Sequence, residues 1–496
     1  MKQILLISPH SSNRLNESRY VSPAMGVNRI AGVLNANGHY AEAFDPNLHD
    51  LSDSYMSVED KLKEKDWDII GFSCLEETLA KDLSNVWTTR DILPNAMLIA
   101  GGIEAQYNYQ TILDKSPCDI VVIGEGEMPM LLICDEYDLE LIPGIIIKNK
   151  ARSLSQEEFE IFTSQIDWEN INYETYWDYY LKKYGDNITD EILQQIYTIR
   201  IYSRNMCPHH CKFCTSTNQL PDAAGCNVVS YGIDADILTD LILRIRKAHP
   251  LVRTIYITDD DFCINKKTVM QFCQRVIDKG LDDLSYMCFA RADDINDDIL
   301  PIMKKAGFRR LNIGIESFSD NVLIEIGKKC TAEKNIEALV KLKEYNIETF
   351  MTLMLITPGT LLWDLEETIE KTIEFIQDPF YTCGLSLGIR PTKGSQFYEE
   401  YFDFETYVTK IENTGNKTIF IKENKMIYAI DSTVKEIQIE YKNREGIYMN
   451  KILREEKIKH ATYSNIAHYQ LKLLQVCIDV VRYRLGYPKR LWRIRL

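Results

Sequence analysis

Apolar residues in the first 150 positions fall into short blocks separated by helical stretches. Ile4-Leu-Leu-Ile7 is a continuous apolar run of strand length. Ser22-Pro23 then reads as a helix start, with a capping hydroxyl and proline at the first helical position. Val27, Ile30, Ala31 and Leu34 follow at helical spacing, and Gly38 stops the helix. Further strand-like runs are Ile69-Ile-Gly-Phe72, Met97-Leu-Ile-Ala100 and Ile120-Val-Val-Ile123. Strands buried on both faces lose polar–apolar alternation, so the pattern predicts a parallel sheet covered by helices on both sides. Gly101-Gly102 and Gly124-Glu-Gly-Glu127 fall just past strand ends. Open α/β sheets bind ligands at that edge. Gly124-Glu-Gly-Glu127 is too acidic to cradle a phosphate, so a nucleotide loop is not expected.

A second series begins at Thr198. Six β-like runs follow: Thr198–Ser203, Thr254–Thr258, Ser285–Ala290, Arg310–Ile315, Thr349–Ile356 and Gly384–Ile389. The segments between them are helical in period. Leu238, Leu241, Ile242 and Ile245 mark one; Val269, Phe272, Cys273 and Val276 mark another, with Asn265 as cap and Gly280 as stop. Ile299, Ile302, Met303 and Ala306 mark a third. Six strand–helix repeats predict a partial α/β barrel with parallel strands. In barrels the working residues lie in loops after the strands' carboxyl ends. Those loops hold three cysteines, Asp259-Asp-Asp-Phe262, Arg291 with Asp293, Glu316-Ser317, Pro358-Gly359, and Pro391 with Lys393-Gly394, in chain order.

The expected organisation is therefore an N-terminal doubly wound domain (1–148), a linker (149–195), the partial barrel (196–400) and a mostly helical C-terminal cap (401–496). The linker is rich in aromatics: Tyr173, Tyr176, Trp177, Tyr179, Tyr180 and Tyr184. They are expected to pack one domain on the other, with a substrate platform as the alternative. The C-terminal stretch matches no motif; its apolar run Tyr469–Val481 suggests a helix, and substrate shape is assigned to this cap.

Composition narrows the classes. The chain has 496 residues and 45% hydrophobic content, enough for several cores. Its formal net charge of -16 argues against general binding of nucleic acid or an anionic membrane. The exception is Arg482 to Leu496, with Arg482, Arg484, Lys489, Arg490, Arg493 and Arg495, read as a docking tail or a contact for an acidic partner. The first apolar run is too short for a signal peptide, and no run of about 18 apolar residues exists to span a membrane. A reducing, cytoplasmic setting is expected, and 13 scattered cysteines do not make a disulfide framework there.

The chemistry concentrates in Arg204-Asn-Met-Cys-Pro-His-His-Cys-Lys-Phe-Cys-Thr-Ser216, where Cys207, Cys211 and Cys214 stand in a Cys-x3-Cys-x2-Cys spacing. A four-iron cluster held by three thiolates keeps one iron open to an outside ligand. The alternative is zinc with His209 or His210 as fourth ligand, although zinc sites usually add a second ligand pair downstream and none follows. Cys226, Cys263, Cys273, Cys288, Cys330, Cys383 and Cys477 are dispersed and read as buried small hydrophobes. Cys330, after Lys328-Lys329, is offered as a reactive thiol in the alternative.

With Phe213 just before its third cysteine, the motif resembles that of the radical S-adenosylmethionine (SAM) enzymes. Thr258-Asp-Asp-Asp-Phe262 is similar to the Asp-Asp-x-Phe element of their cobalamin-type members. Ile313-Gly-Ile-Glu-Ser317 is similar to their Gly-x-Glu-Ser element, and the glycine turns at Pro358-Gly359 and Pro391–Gly394 also match. The first segment resembles a cobalamin-binding domain through Pro23-x-x-Gly26, Gly38-His39, Gly71-Phe-Ser73, Pro94, Ala100-Gly-Gly102, Asp119 and Gly124-Glu-Gly-Glu127, with Ile142-Pro-Gly144 fitting a small following strand. It departs from that pattern twice. There is no Asp-x-His-x-x-Gly, and Glu104 stands where His or Pro is common.

The resemblance implies a [4Fe-4S] cluster on Cys207, Cys211 and Cys214. It implies SAM held near Phe213, Asp260, Arg291, Glu316 and Ser317. It implies cobalamin along Ser73, Gly101, Gly102, Gly124 and Gly126, a scaffold without cofactor being the alternative. Reductive cleavage of SAM to a 5′-deoxyadenosyl radical is the implied chemistry, with flavodoxin or ferredoxin as electron donor. The implied activity is C-methylation of a small molecule or peptide. The alternatives are rearrangement, cyclisation, epimerisation or elimination, and an electron-transfer module without enzymatic activity.

Overall fold

The computed structural model describes residues 1–10, 22–51, 54–145, 150–355, 357, 360, 362–386, 392–401, 475, 478 and 479. Its contacts group into two units: Met1–Pro208 with Ser216–Tyr256, and His209–Thr215 with Ile257–Leu496.

In the first unit, the continuous apolar runs become a five-stranded parallel sheet. Its strands are β1 (Gln3–Ile7), β2 (Tyr40–Phe44), β3 (Ile69–Ser73), β4 (Met97–Gly101) and β5 (Ile120–Val121), in the order β2-β1-β3-β4-β5. Alternate residues feed two cores. Leu5, Ile7, Ile70, Phe72, Leu98 and Ala100 fill one layer; Ile4, Leu6, Ile69, Ile99 and Ile120 fill the other. The strand order reverses at β1, which puts a crevice at the carboxyl ends of β1 and β3.

Three local readings are corrected. Strand β2 was not expected: Tyr40-Ala-Glu-Ala-Phe44 lies at the sheet edge with only Ala41 fully buried, and Glu42 breaks any continuous apolar run. Strand β5 has two residues, after which Val122 bridges antiparallel to Ile145, just past Ile142-Pro-Gly144. The first helix is Met25–Ala36, so Ser22-Pro23 precedes it and Ala24 is the cap residue, without a side-chain cap. The Asn28 amide holds that entry instead, donating to the Ala24 carbonyl at 2.8 Å.

The linker aromatics pack as expected. On helix Tyr173–Tyr184, Tyr173, Tyr176, Trp177 and Tyr180 are buried. The Tyr176 hydroxyl donates to Asp45, just past β2, at 2.6 Å. Tyr173 and Trp177 meet His249 edge-on, at the end of helix Ala235–Ala248. Tyr179 and Tyr184 are only partly buried.

Beneath them lies a buried charge. Arg29, 1% exposed, ion-pairs with Glu127 and donates to the Thr163 hydroxyl at 3.0 Å. Its guanidinium lies 4.3 Å from the ring centre of Phe159 and 5.2 Å from that of Tyr202.

The second strand series appears where expected. β6 (Thr198–Ile201) and β7 (Thr254–Ile257) are neighbours. In the second unit β8 (Ser285–Arg291), β9 (Phe308–Glu316), β10 (Glu348–Met354) and β11 (Tyr381–Ser386) pair in chain order, all parallel. β11 starts three residues before the expected Gly384, because Tyr381 is buried and its hydroxyl donates to the Leu339 carbonyl at 3.0 Å. Helix Lys266–Asp278 is capped by the Asn265 side chain, which accepts from Thr268 N at 3.1 Å. It ends before Gly280, whose φ of +63° suits only glycine without strain.

Pro358-Gly359, Pro391, Cys477, the basic stretch 482–496 and nearly all of the expected cap 401–496 lie outside the described residues. Residues 475, 478 and 479, within the run Tyr469–Val481, are helical. No helix among the described residues is long and apolar enough to cross a membrane.

Gly32 tests the packing of the first helix on the linker. A Cβ there would stand 2.6 Å from the Gln165 carbonyl and 2.9 Å from Ile166 Cα. Alanine ordinarily favours a helix over glycine by ~1 kcal/mol. Here the neighbour is backbone, which cannot turn away. Gly32→Ala should therefore lower stability by about 1–3 kcal/mol, read as a lower midpoint in urea unfolding. An equal or higher midpoint would contradict this packing.

Candidate functional site

The cysteine loop leaves β6 and is held on several sides. Cys207 belongs to the first unit, whose N-terminal stretch ends at Pro208; Cys211 and Cys214 belong to the second. Cys211 N donates to the His209 carbonyl at 2.9 Å, and Cys214 N donates to the Cys211 carbonyl at 3.1 Å, so the second half is a tight turn. Cys207 and Cys211 are buried and Cys214 is partly exposed; no described cysteine is in a disulfide. Lys212 N donates to the Ile326 carbonyl at 3.0 Å, and Phe397 N donates to the Lys212 carbonyl at 2.9 Å. The Phe213 ring packs on an apolar floor of Val322, Leu323, Ile326, Met354 and Phe397. Thr215 Oγ1 meets Thr392 Oγ1 at 2.5 Å and donates to the Lys393 carbonyl at 2.9 Å. The loop after β11 thus fastens the end of the motif.

The His209 ring is engaged by carboxylates, which disfavours it as a fourth zinc ligand to the thiols. Its Nε2 lies 3.1 Å from Asp261 Oδ2 and 3.9 Å from Asp294 Oδ2. Burial, together with the neighbouring Asp261, pushes the Asp294 carboxyl up to about 8.

The strand ends of the second unit carry charges. Of the three aspartates after β7, Asp259 and Asp261 are buried and Asp260 is exposed. Asp261 caps the turn Phe262–Ile264, accepting from Cys263 N at 3.2 Å. Arg291, the last residue of β8, is 5% exposed. It grips Asp293 with two hydrogen bonds of 2.9 and 3.0 Å, donates to the Lys328 carbonyl, and brings Nη1 to 3.6 Å from Cys211 Sγ. Burial works against its charge, and Asp293 more than offsets that, so the group stays protonated. Glu316 ends β9 with φ +61°, an unusual conformation for a residue with a side chain. Its carboxylate accepts from Lys328 Nζ at 3.0 Å. Ser317 turns away: its hydroxyl meets Thr368 Oγ1 at 2.8 Å and accepts from Ser319 N at 3.1 Å.

Lys328 is a residue the sequence reading missed. It is 4% exposed, rare for lysine, and nothing in its local sequence marks it. The available signal was Gly314, two residues before Glu316. A Cβ at Gly314 would lie 2.6 Å from Lys328 Nζ, so the glycine makes room for the ammonium.

In the first unit, the glycine edge is built as anticipated. Ser73 pairs with Gly101 at the ends of β3 and β4. Gly102 has φ +94°, and a Cβ there would strike the Cys74 carbonyl at 2.8 Å. Gly124 N donates to Gln106 Oε1 at 3.3 Å, and Gly126 is the cap residue of helix Glu127–Cys134. Glu104 is buried with its carboxylate taken by the Asn108 amide. The short helix Gln219–Ala224 follows the cysteine motif and is fastened to this edge. Gln106 Nε2 donates to the Gln219 carbonyl at 2.8 Å, the Tyr107 hydroxyl to Asp222 at 2.8 Å, and Ala151 N to the Ala223 carbonyl at 2.9 Å.

Beside this edge, His10 has both ring nitrogens engaged: Nδ1 lies 3.0 Å from the Asn85 amide and Nε2 3.0 Å from Asp50. His10 N donates to Asp82 at 2.8 Å, and burial pushes the Asp82 carboxyl up to about 7. Two cysteine readings also resolve. Cys226 is exposed rather than buried, because it lies in the bend just after helix Gln219–Ala224. Cys330 is buried, its thiol pushed up by burial and donating to Asn335 Oδ1 at 3.5 Å, which disfavours a reactive thiolate.

Comparison with known proteins places these features together. Residues 201–372 match the radical SAM superfamily, and residues 14–133 match the B12 binding domain. An uncharacterized methyltransferase of Pyrococcus horikoshii is 24% identical over 381 residues, covering 76% of this chain and 77% of the relative. The anaerobic magnesium-protoporphyrin IX monomethyl ester cyclase of a Synechocystis strain is 24% identical over 419 residues, covering 80% and 77%. In fold, the chain is similar to the radical SAM methyltransferase TsrM of Kitasatospora setae, solved with cobalamin and a [4Fe-4S] cluster bound. The TM-score is 0.62 at 14% identity, covering 81% of this chain and 74% of that one.

Asp82 yields a pH test. Its folded value, about 7, stands above the ordinary 3.8, so the folded state binds this proton more tightly than the unfolded chain. The contribution is complete below the ordinary value and is lost as pH rises through about 7. Denaturant midpoints measured from pH 4 to 8 should fall with rising pH, and less steeply in Asp82→Asn. Parallel curves for the two proteins would count against the assignment.

Proposed function

The chain is a radical SAM superfamily enzyme with a B12-binding domain ahead of its barrel, and on that premise we propose that it is a cobalamin-dependent C-methyltransferase of a small molecule or peptide. Its cofactors are a [4Fe-4S] cluster, SAM and cobalamin. One observation carries the reading. The helix that follows the cysteine motif, Gln219–Ala224, is hydrogen-bonded to the glycine edge of the B12-binding domain through Gln106 and Tyr107, and to Ala151 of the segment that follows the domain. The segment that leaves the cluster motif is thereby tied to the edge where a corrin would rest, as a reaction using both cofactors requires.

The residues fit these groups. Cys207, Cys211 and Cys214 would hold the cluster, with Arg291 donating toward the sulfur of Cys211. Phe213, Asp260, Arg291 and Glu316 would hold SAM, a zwitterion with a diol that needs charges of both signs. Ser317, bound to Thr368, would support the turn behind Glu316. Ser73, Gly101, Gly102, Gly124 and Gly126 would leave a low floor for a flat corrin, and Glu104 is folded inward rather than toward it. His10 offers no free ring nitrogen, so it is not a ligand to the metal. When bound, these cofactors supply radical and methyl-transfer chemistry; the protein orients them and excludes water.

Flavodoxin or ferredoxin is the proposed class of electron donor and the cytoplasm the proposed setting. The net charge of -16 argues against nucleic-acid or membrane partners. A second reading, radical cyclisation or rearrangement without methyl transfer, draws support from the likeness to the magnesium-protoporphyrin ester cyclase.

Anaerobic reconstitution with iron, sulfide and hydroxocobalamin separates the readings. With titanium(III) citrate and methyl-labelled SAM, the proposal expects 5′-deoxyadenosine together with S-adenosylhomocysteine and label in the corrinoid fraction. Deoxyadenosine alone would favour the second reading. Replacing Cys207, Cys211 and Cys214 together by alanine should abolish iron incorporation and SAM cleavage; full iron retention would sink the cluster assignment.

A further inference from the structure

We infer that Lys328 acts with Arg291 as a positioned pair of cations that raises the reduction potential of the cluster through Cys211. The inference rests on the cluster assignment above and extends it to residues outside the cysteine motif.

The pair meets across 37 residues of sequence, from the end of β8 and from the turn after helix Asp320–Glu325. The backbone carbonyl of Lys328 accepts from Arg291, while Arg291 Nη1 points at Cys211 Sγ from 3.6 Å. The same residue's side chain carries a second positive charge, buried to 4% exposure and aimed at Glu316, 3.0 Å away. Gly314 leaves the space that the ammonium occupies. Lys328 thus both orients Arg291 and supplies its own charge.

Both charges lie beside the Cys211 segment: Arg291 Nη1 is 3.6 Å from its sulfur, and Lys328 follows Gly327, where a Cβ would stand 3.5 Å from the His210 carbonyl and 3.6 Å from Lys212 N. Reduction adds one electron to a cluster, delivered here by a low-potential one-electron donor. Net charge and hydrogen bonds at the ligand sulfurs set how readily that electron is accepted. Fixed positive charge in a buried, poorly screened place favours the reduced form. Lys328 would therefore make the electron transfer that starts SAM cleavage easier, and Glu316 and Asp293, which pair with the two cations, would limit how much.

The test is a redox titration of the reconstituted full-length protein, followed by electron paramagnetic resonance without SAM. Lys328→Met should lower the midpoint enough to cut the ratio of reduced to oxidised cluster about tenfold at fixed potential, which is about 59 mV for one electron. Lys328→Arg should stay near the wild type. Glu316→Gln, which removes the opposing charge, should move the midpoint upward. An unchanged midpoint in Lys328→Met, with wild-type iron content, would overturn the inference. If Lys328→Met loses its iron, Glu316→Gln decides, and an unshifted midpoint there overturns the inference equally. A wild-type protein that takes up no iron would instead refute the cluster assignment beneath it.

Discussion

The first unit turns on one buried ion pair. Arg29 comes from the first helix and Glu127 from the end of Gly124-Glu-Gly-Glu127. Phe159 and Thr163 come from the linker helix Gln156–Ser164, and Tyr202 from just past β6, five residues before the first cysteine. A guanidinium taken out of water is costly, and only a full set of partners offsets that cost. Removing any partner would leave charge stranded in an apolar place. The unit therefore has one way to seat the glycine edge, the linker and the approach to the cysteine loop. Glu125 shares this neighbourhood: burial and the nearby Glu127 push its carboxyl up to about 7, while Leu154 N anchors it at 2.8 Å.

The site is assembled more by backbone than by side chains. Lys212 is gripped through its amide and its carbonyl, and Thr215 reaches the Lys393 carbonyl. Helix Gln219–Ala224 is held partly through its own carbonyls. Such contacts tolerate changes of side chain at the gripped positions. That is compatible with the low identity, 14%, at which the fold is shared with a solved relative. They also keep loop residues in place without filling the space where ligands must enter.

Much of the fold was legible because parallel strands buried on both faces must be continuous apolar runs. β1, β3 and β4 announce themselves this way; the six later strands are more mixed and were read from their regular alternation with helical segments, and Asn265 and Gly280 bracket their helix through capping and positive φ. β2 was not legible because an edge strand needs only one buried face. The helix start at Ser22-Pro23 misled because Asn28 stabilises a later entry. At the site, residues next to strand ends could be read, since topology alone brings them to one edge. Lys328 could not, because its role depends on the path of helix Asp320–Glu325, which returns the chain to β9. His209 likewise meets Asp261 across 52 residues, a pairing without local trace.

Gly314 and Lys328 have a consequence for how this sequence can drift. A side chain at 314 would occupy the position of the Lys328 ammonium, 2.6 Å from where a Cβ would stand. The two sites are therefore epistatic. A Cβ at 314 would also stand 2.8 Å from the Glu316 carboxylate, so any side chain there displaces both tips of the ion pair, and loss of the lysine alone relieves only one of the two contacts.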